Sequence, residues 1–291
     1  MFMDTKKVFA VIVTFNPDLV SLAKVVGLLQ NQVYKIILVN NSDHCINLEG
    51  SYEKIELGRN LGIARAQSIG MEKAFADGAD FVLQMDQDSV PCSDLVSNLV
   101  DSFLRLCAKG YKVGLIGPQY FDKETGEVER PRLNRVKKKI EGCYFVNDTI
   151  SSGSLVSKEA YSIVGGMEDG LFIDCVDFEY CWRLRKMGFL ICKNDCVYLA
   201  HRVGNGKRRI IFGITLRICQ PIRHYFKFRN TILLMRRTYA PFSWRLSSLI
   251  TIPFEFVLAP LFLGDFFLRL YYISKGIFDG IICRDGDLNI W

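Results

Sequence analysis

What most limits the folds open to this chain is a recurring pairing. A short, β-branched apolar run stops abruptly at amide or carboxylate side chains. Phe81-Val82-Leu83-Gln84-Met85 ends in Asp86-Gln87-Asp88-Ser89. Val8 to Thr14 ends in Phe15-Asn16-Pro17-Asp18, and Lys35 to Val39 ends in Asn40-Asn41-Ser42-Asp43. Between these runs lie helical patterns at Asp18 to Gln30, Ile63 to Ala76 and Ser93 to Ala108. Buried strands alternating with helices over short connections predict an α/β fold: a Rossmann-like, doubly wound, mostly parallel sheet flanked by helices. In such sheets ligands gather at the carboxyl ends of strands. No Gly-x-Gly-x-x-Gly and no Gly-x-x-x-x-Gly-Lys-Ser/Thr follows a strand, so dinucleotide and P-loop chemistries lose their main support.

Asp86 and Asp88, two apart at a strand end, present hard oxygen ligands suited to Mg²⁺ or Mn²⁺. The plainer account is helix capping, because Asp88-Ser89-Val90-Pro91 precedes a helical pattern. A second acidic group, Phe172-Ile173-Asp174-Cys175-Val176-Asp177-Phe178-Glu179-Tyr180-Cys181-Trp182-Arg183, opens a helix running to about Met187. Its carboxylates complement a helix N-terminus. Packed among aromatic and aliphatic bulk, they are also candidates for pKa-shifted bases. His201-Arg202 follows strand-like Val197-Tyr198-Leu199 and suits a phosphate or metal ligand. The small-residue turn Ile150-Ser151-Ser152-Gly153-Ser154 allows another molecule close to the backbone.

Charge is distributed unevenly. His201 to Leu246 holds eleven Lys/Arg and no Asp/Glu against a net charge of +6, so the remainder is net acidic and the basic stretch calls for an anionic partner. Arg217, Arg223, Lys227, Arg229, Arg236, Arg237 and Arg245 recur among Ile, Phe, Leu and Tyr, the pattern of a basic amphipathic helix for an anionic membrane surface. No RNA-recognition or helix-turn-helix signature accompanies them, which argues against nucleic acid. The next 23 residues, Leu246 to Leu268, lack Lys and Arg but contain Pro253, Glu255, Pro260 and Asp265. That favours helices lying in a membrane interface, or docked on another subunit of a homo-oligomer, over a true span. Arg130 to Lys139, with six basic residues, reads as a loop, either solvated or closing over phosphates. Met1 to Lys7 lacks a signal-peptide apolar core, and ten scattered cysteines without a Cys-x-x-Cys pair suit reduced, buried thiols in the cytoplasm.

Four blocks in this order, Ala10-Val11-Ile12-Val13-Thr14-Phe15-Asn16-Pro17, Gly58-Arg59-Asn60-Leu61-Gly62-Ile63-Ala64-Arg65-Ala66, Asp86-Gln87-Asp88-Ser89, and Phe172 to Arg183 with His201-Arg202, resemble the bacterial family-two glycosyltransferases. Within that family they look most like rhamnosyltransferases using dTDP-L-rhamnose, with Tyr225 and Arg229-Asn230 as a trailing motif. The resemblance implies a GT-A catalytic domain over residues 1–215 and a helical, membrane-associating or oligomerising region over 216–291. It implies an inverting transfer assisted by Mg²⁺ or Mn²⁺, onto a saccharide acceptor on polyprenyl diphosphate at the cytoplasmic face of the cell membrane, for O-antigen or cell-wall polysaccharide. Thr14, Phe15, Asn16, Asn40, Asn60, Gly62, Arg65, Asp86, Gln87 and Arg202 match the nucleotide-sugar pocket. Asp88 and His201 match the metal site and Asp177 the general base, while Ser152, Gly153, Asp174, Glu179 and Trp182 are the expected acceptor contacts. Asn40 departs from the acidic residue many relatives carry there. A UDP-hexose donor on the same scaffold is the alternative.

Overall fold

The computed structural model describes residues 6–122, 126, 128, 138–201, 206–209 and 215–287. Strand β1 (Val8–Thr14) pairs in parallel with both β2 (Lys35–Asn40) and β4 (Phe81–Asp86), and β3 (Glu53–Glu56) continues the sheet in parallel beyond β2. Alternation along each strand splits its side chains between two cores. Val8, Ala10, Ile12, Ile36, Leu38, Phe81 and Leu83 face helices α1 (Leu19–Leu29) and α3 (Leu95–Ala108). Phe9, Val11, Val13, Ile37, Val39 and Val82 face α2 (Ile63–Ala76), α4 (Lys158–Val164) and α5 (Val176–Lys186). A sheet covered on both faces explains why these strands read as continuous apolar runs.

Beyond β4 the sheet becomes mixed. The three-residue β9 (Leu155–Ser157) is inserted antiparallel between β4 and β6 (Val113–Asp122). Strand β10 (Leu190–His201) lies parallel to β6, with β8 (Cys143–Val146) antiparallel to it and β7 (Lys138–Ile140) antiparallel to β8. The parallel pairing expected from the sequence thus holds in the half that ends at Asp86. Strands β4, β6 and β10 all run the same way, because two antiparallel steps through β9 restore direction. A two-residue strand, β5 (Val90–Pro91), pairs Val90 with Ala200 and so sets Ser89 beside His201.

A small ribbon, β11 (Lys207–Arg209) with β12 (Thr215–Arg217), leads to α6 (Pro221–Met235), α7 (Phe242–Phe262) and α8 (Phe266–Ile281). Helices α6 and α8 meet backbone to backbone: a Cβ added at Gly276 would lie 2.5 Å from the Tyr225 carbonyl oxygen. The cations expected on an outer basic face divide: Arg217, Lys227, Arg236 and Arg237 are exposed, while others meet partners within the fold. Arg223 forms two hydrogen bonds with Asp174 (2.8 and 2.6 Å), Lys227 pairs with Glu255 at 2.5 Å, and Arg229 is fully buried. The outward side of α7 is apolar. Leu246, Leu249, Ile250, Phe254, Val257 and Leu261 of α7 are each at least half exposed. The inner side of α7 packs Ala259, Ile252 and Phe256 against Phe228 and Ile273. All ten cysteines are free thiols. Cys143, Cys181 and Cys192 are buried as expected, but Cys45, Cys107, Cys196 and Cys283 are exposed.

Candidate active site

Parallel register brings the polar strand ends together: Thr14 lies opposite Asn40, and Val13 opposite Asp86. The buried Thr14 hydroxyl donates to Asn40 Oδ1 at 3.4 Å. Gln87 fastens the tips of two turns to each other. Its Oε1 accepts from the Phe15 N–H at 2.7 Å, and its Nε2 donates to the Phe15 carbonyl at 3.3 Å. Asn16 adopts the left-handed conformation (φ 45°), and its N–H donates to Ser42 Oγ at 2.9 Å. The buried Asn40 amide donates to the His44 carbonyl at 2.7 Å and to the Glu56 carboxylate of β3. Asn60 shapes its own turn, its Oδ1 accepting from Asn41 Nδ2 and from the Gly62 N–H, both at 2.9 Å. Gly62 has φ +84°, and an added Cβ would lie 2.7 Å from the Phe172 carbonyl oxygen, so this turn abuts the segment that precedes α5. Arg65, about half exposed, is tethered to Asp169 at 2.9 Å.

At the end of β4, the Asp86 N–H donates to the buried Ser152 hydroxyl at 3.2 Å. Its carboxylate lies 3.6 Å from His201 Nδ1, which is 2.9 Å from Ser89 Oγ. Burial raises the Asp86 carboxyl above the usual carboxylate range; His201 opposes the rise and the Asp88 carboxylate reinforces it. Asp177, in the first turn of α5, accepts the Phe178 N–H at 3.0 Å. Burial pushes its carboxyl up to about 7, and the charges of Asp148 and Asp86 add to the effect. Asp86 and Asp177, far apart in the chain, are therefore close enough for one charge to act on the other. Asp148, at the end of the apolar run Cys143–Val146, joins them.

The five expected acceptor contacts do other work. Trp182 is completely buried and donates from Nε1 to Asp148 Oδ2 at 3.1 Å, which aims that carboxylate. Glu179 is also completely buried; Arg183 Nε donates to it at 2.8 Å and the Tyr239 hydroxyl at 2.8 Å. Ser152 supports Asp86, and Gly153 is tucked against Pro118 and Leu199. Asp174 is occupied by Arg223. None of the five offers a free side chain to an acceptor, because apolar alternation alone does not tell a carboxylate facing a cleft from one ion-paired behind it. Arg202 and most of the basic loop 130–139 lie outside the described residues. Asp148 was missed, although an acid closing an apolar run is the same signal that singled out Asp86.

Among the described residues, no three His, Cys, Asp or Glu side chains gather tightly enough to cage a metal on their own. Asp86, Asp88 and His201 nonetheless fit a divalent ion that takes its remaining ligands from phosphate and water, as Mg²⁺ commonly does.

Comparison with known proteins agrees with this geometry. Residues 9–164 match the profile of Glycosyl transferase family 2. The dTDP-rhamnosyl transferase RfbF of Shigella flexneri is 32% identical over 94% of this chain and 95% of its own length. An uncharacterized protein of Mycobacterium tuberculosis is 27% identical over 50% of this chain and 55% of its own. Among solved structures, that of GalNAc-T7 with UDP, GalNAc and Mn²⁺ superposes with a TM-score of 0.61 at 14% identity, covering 93% of this chain and 55% of that one, a likeness of fold. A profile match over more than half of the chain and a full-length relative above 30% identity establish that this protein belongs to glycosyl transferase family 2: it is a glycosyltransferase with a GT-A fold.

Proposed function

We propose that this glycosyltransferase moves a rhamnosyl unit from dTDP-β-L-rhamnose to a hydroxyl of a saccharide acceptor carried on polyprenyl diphosphate, in the synthesis of a cell-surface polysaccharide such as O-antigen or cell-wall rhamnan. The choice of donor is supported by the near full-length similarity to a dTDP-rhamnosyl transferase. The observation that carries the chemistry is Asp177, a carboxyl whose proton affinity sits near neutrality beside Asp86 and Asp148. A general base works best when its pKa lies near the working pH.

In this reaction the acceptor oxygen attacks the anomeric carbon and its proton passes to the Asp177 carboxylate. The bond from the anomeric carbon to the diphosphate breaks with its electron pair leaving on dTDP. One displacement inverts the centre, so a β-linked donor gives an α-linked product. Thr14, Asn16, Asn40 and the Gln87-fastened turn line the nucleotide end, and Asp86, Asp88 and His201 stand where the diphosphate departs. A Mg²⁺ or Mn²⁺ held by Asp88 and His201 supplies neutralisation of the charge developing on the leaving group. Transfer by purified protein is compared across dTDP-rhamnose, UDP-galactose, UDP-glucose and GDP-mannose. Preference for dTDP-rhamnose is expected, and preference for a UDP-hexose refutes the donor assignment.

We further propose that the exposed side of α7 and α8 rests on the cytoplasmic face of the cell membrane, where a lipid-linked acceptor is presented. Helix α7 is long and apolar enough to cross a membrane. Its inner side, however, packs on α6 and α8, and Glu255 is ion-paired, which favours lying along the surface. Arg245 borders a hollow lined by Met235, Phe242, Leu246 and Leu249, a position suited to an anionic headgroup. The outward side of α7 is apolar over most of its length, so the attachment is mainly apolar. Vesicle flotation is expected to survive 1 M salt, since exposed charge pairs are screened there. Dimerisation without vesicle binding would make this face a subunit interface.

A further inference from the structure

The segment just before the proposed base is an unusual piece of backbone. Phe172, Asp174 and Cys175 all sit in the left-handed region (φ 62°, 68° and 64°), and none is glycine. Such a run does not persist by local preference; the surroundings have to impose it. Its carbonyl groups converge on one helix. Asn230 of α6, fully buried, donates from Nδ2 to the carbonyls of Leu171 (2.9 Å), Ile173 (2.8 Å) and Asp174 (2.9 Å). Arg229, also fully buried, donates from Nη2 to the carbonyls of Gly170 and Leu171, both at 3.0 Å, and from Nε to Asn230 Oδ1 at 3.0 Å. Two turns earlier, Arg223 grips the Asp174 carboxylate.

We infer that Asn230, backed by Arg229, is a positioning residue for the transfer: it holds the backbone of residues 171–174, in which Phe172 and Asp174 have positive φ, and so fixes where α5 begins and where the Asp177 carboxylate stands. A buried arginine normally serves a carboxylate. Here the Arg229 side chain donates to backbone carbonyls and to the Asn230 amide. Together the two side chains satisfy carbonyls that a left-handed run turns away from any regular ladder. The Gly170 and Leu171 carbonyls also accept backbone N–H groups, so it is the Ile173 and Asp174 carbonyls that lose the Asn230 amide when it is removed, and the backbone there relaxes toward the right-handed region. The first turn of α5 rotates with it. The clamped segment touches the pocket only through the Gly62 turn, and the strand-end contacts of the nucleotide pocket do not pass through Asn230. Thr14, Asn16 and Gln87 are held through Asn40, Ser42 and Phe15, none of which touches Asn230.

This inference rests on Asp177 being the base, so the test separates the two. Asn230→Ala is expected to lower kcat about 30-fold or more while leaving the donor KM within about twofold. In the Asp177→Asn background the same change should have almost no further effect, because Asn230 acts only through that side chain. Asn230→Asp, the same size but without donors, should not rescue, whereas Asn230→Ser, which keeps one donor, should recover part of the loss. Arg223→Met, at a more exposed site, gives a milder version of the same kcat loss if the buried variants fold poorly. A multiplicative loss in the double variant, or a rise in donor KM at unchanged kcat, overturns the assignment. A crystal structure of Asn230→Ala with Phe172, Asp174 and Cys175 still left-handed overturns it independently of any turnover. If Asp177→Asn alone keeps full turnover, the base assignment fails, and that structure still decides the clamp.

Discussion

Replacing Asp177 by Asn sets activity against stability, and the size of the effect follows from the burial of this side chain. Asn keeps the oxygen that accepts the Phe178 N–H and removes only the charge. At about 1.36 kcal/mol for each tenfold change in proton affinity, raising the carboxyl from 3.8 to about 7 corresponds to roughly 4 kcal/mol. The residue is only partly covered, so solvent screening reduces this to about 2–3 kcal/mol. The sign follows from linkage. The unfolded chain releases this proton near 3.8 and the fold releases it near 7, so the stability tied to the protonated form is complete below the first value and gone above the second. Above about pH 7 the wild type therefore carries a buried charge at a cost, and Asp177→Asn removes it. Urea unfolding at pH 8 should show the variant more stable by about 2–3 kcal/mol, with the gap shrinking as pH falls toward 4. Turnover should fall by about 10²-fold or more, the range for loss of a general base, while nucleotide binding is kept. Wild-type turnover should itself rise with pH through about 7 as the base ionises. A variant less stable than wild type at pH 8, or one that turns over normally, refutes both the placement of the charge and its use.

Other outcomes follow from neighbouring features. EDTA should abolish transfer and weaken dTDP binding measured by calorimetry, with Mg²⁺ or Mn²⁺ restoring both; full activity in chelator would remove the metal role from Asp88 and His201. Glu179→Gln removes the fully buried charge that pairs with a partly exposed Arg183 and should cost about 3 kcal/mol in denaturant unfolding. Acceptor KM should stay unchanged in the folded fraction, whereas a raised acceptor KM at normal stability would return Glu179 to the acceptor site. Gly62→Ala places a Cβ against the Phe172 ring and carbonyl in a left-handed backbone. It should lose about 2–4 kcal/mol, the sum of backbone strain and overpacking, and a neutral melting temperature would contradict the close approach.

The elements with strong periodicity were legible in the sequence to within a residue or two. Val8 to Thr14 and Lys35 to Val39 declared themselves because both faces of the sheet are covered and the runs had nothing polar to interrupt them, and Ile63 to Ala76 by its helical spacing of apolar residues. Leu155–Ser157 was not, since three residues carry no period, and it is this piece that makes the sheet mixed. Asp86, Asp88 and Asp177 were found by position at the ends of elements. What separated Asp177 from Glu179 was the partner each meets across the fold, Asp148 and Asp86 for one, Arg183 and Tyr239 for the other. The ion pairs of the basic stretch were hidden for the same reason: Arg223 and Lys227 stay partly exposed, but their partners Asp174 and Glu255 come from elsewhere in the chain.

The seam at Gly62 has a practical consequence for building hybrid enzymes. The Ala64 N–H donates to the Phe172 carbonyl at 3.3 Å, Ser68 and Arg65 both reach Asp169, and an added Cβ at Gly166 would fall 2.8 Å from the Ser68 hydroxyl oxygen. Residues 60–68 and 166–174 thus interlock like two halves of a zip. A chimera that imports donor preference from a relative must exchange both stretches together; exchanging either alone leaves mismatched teeth beside the reacting groups.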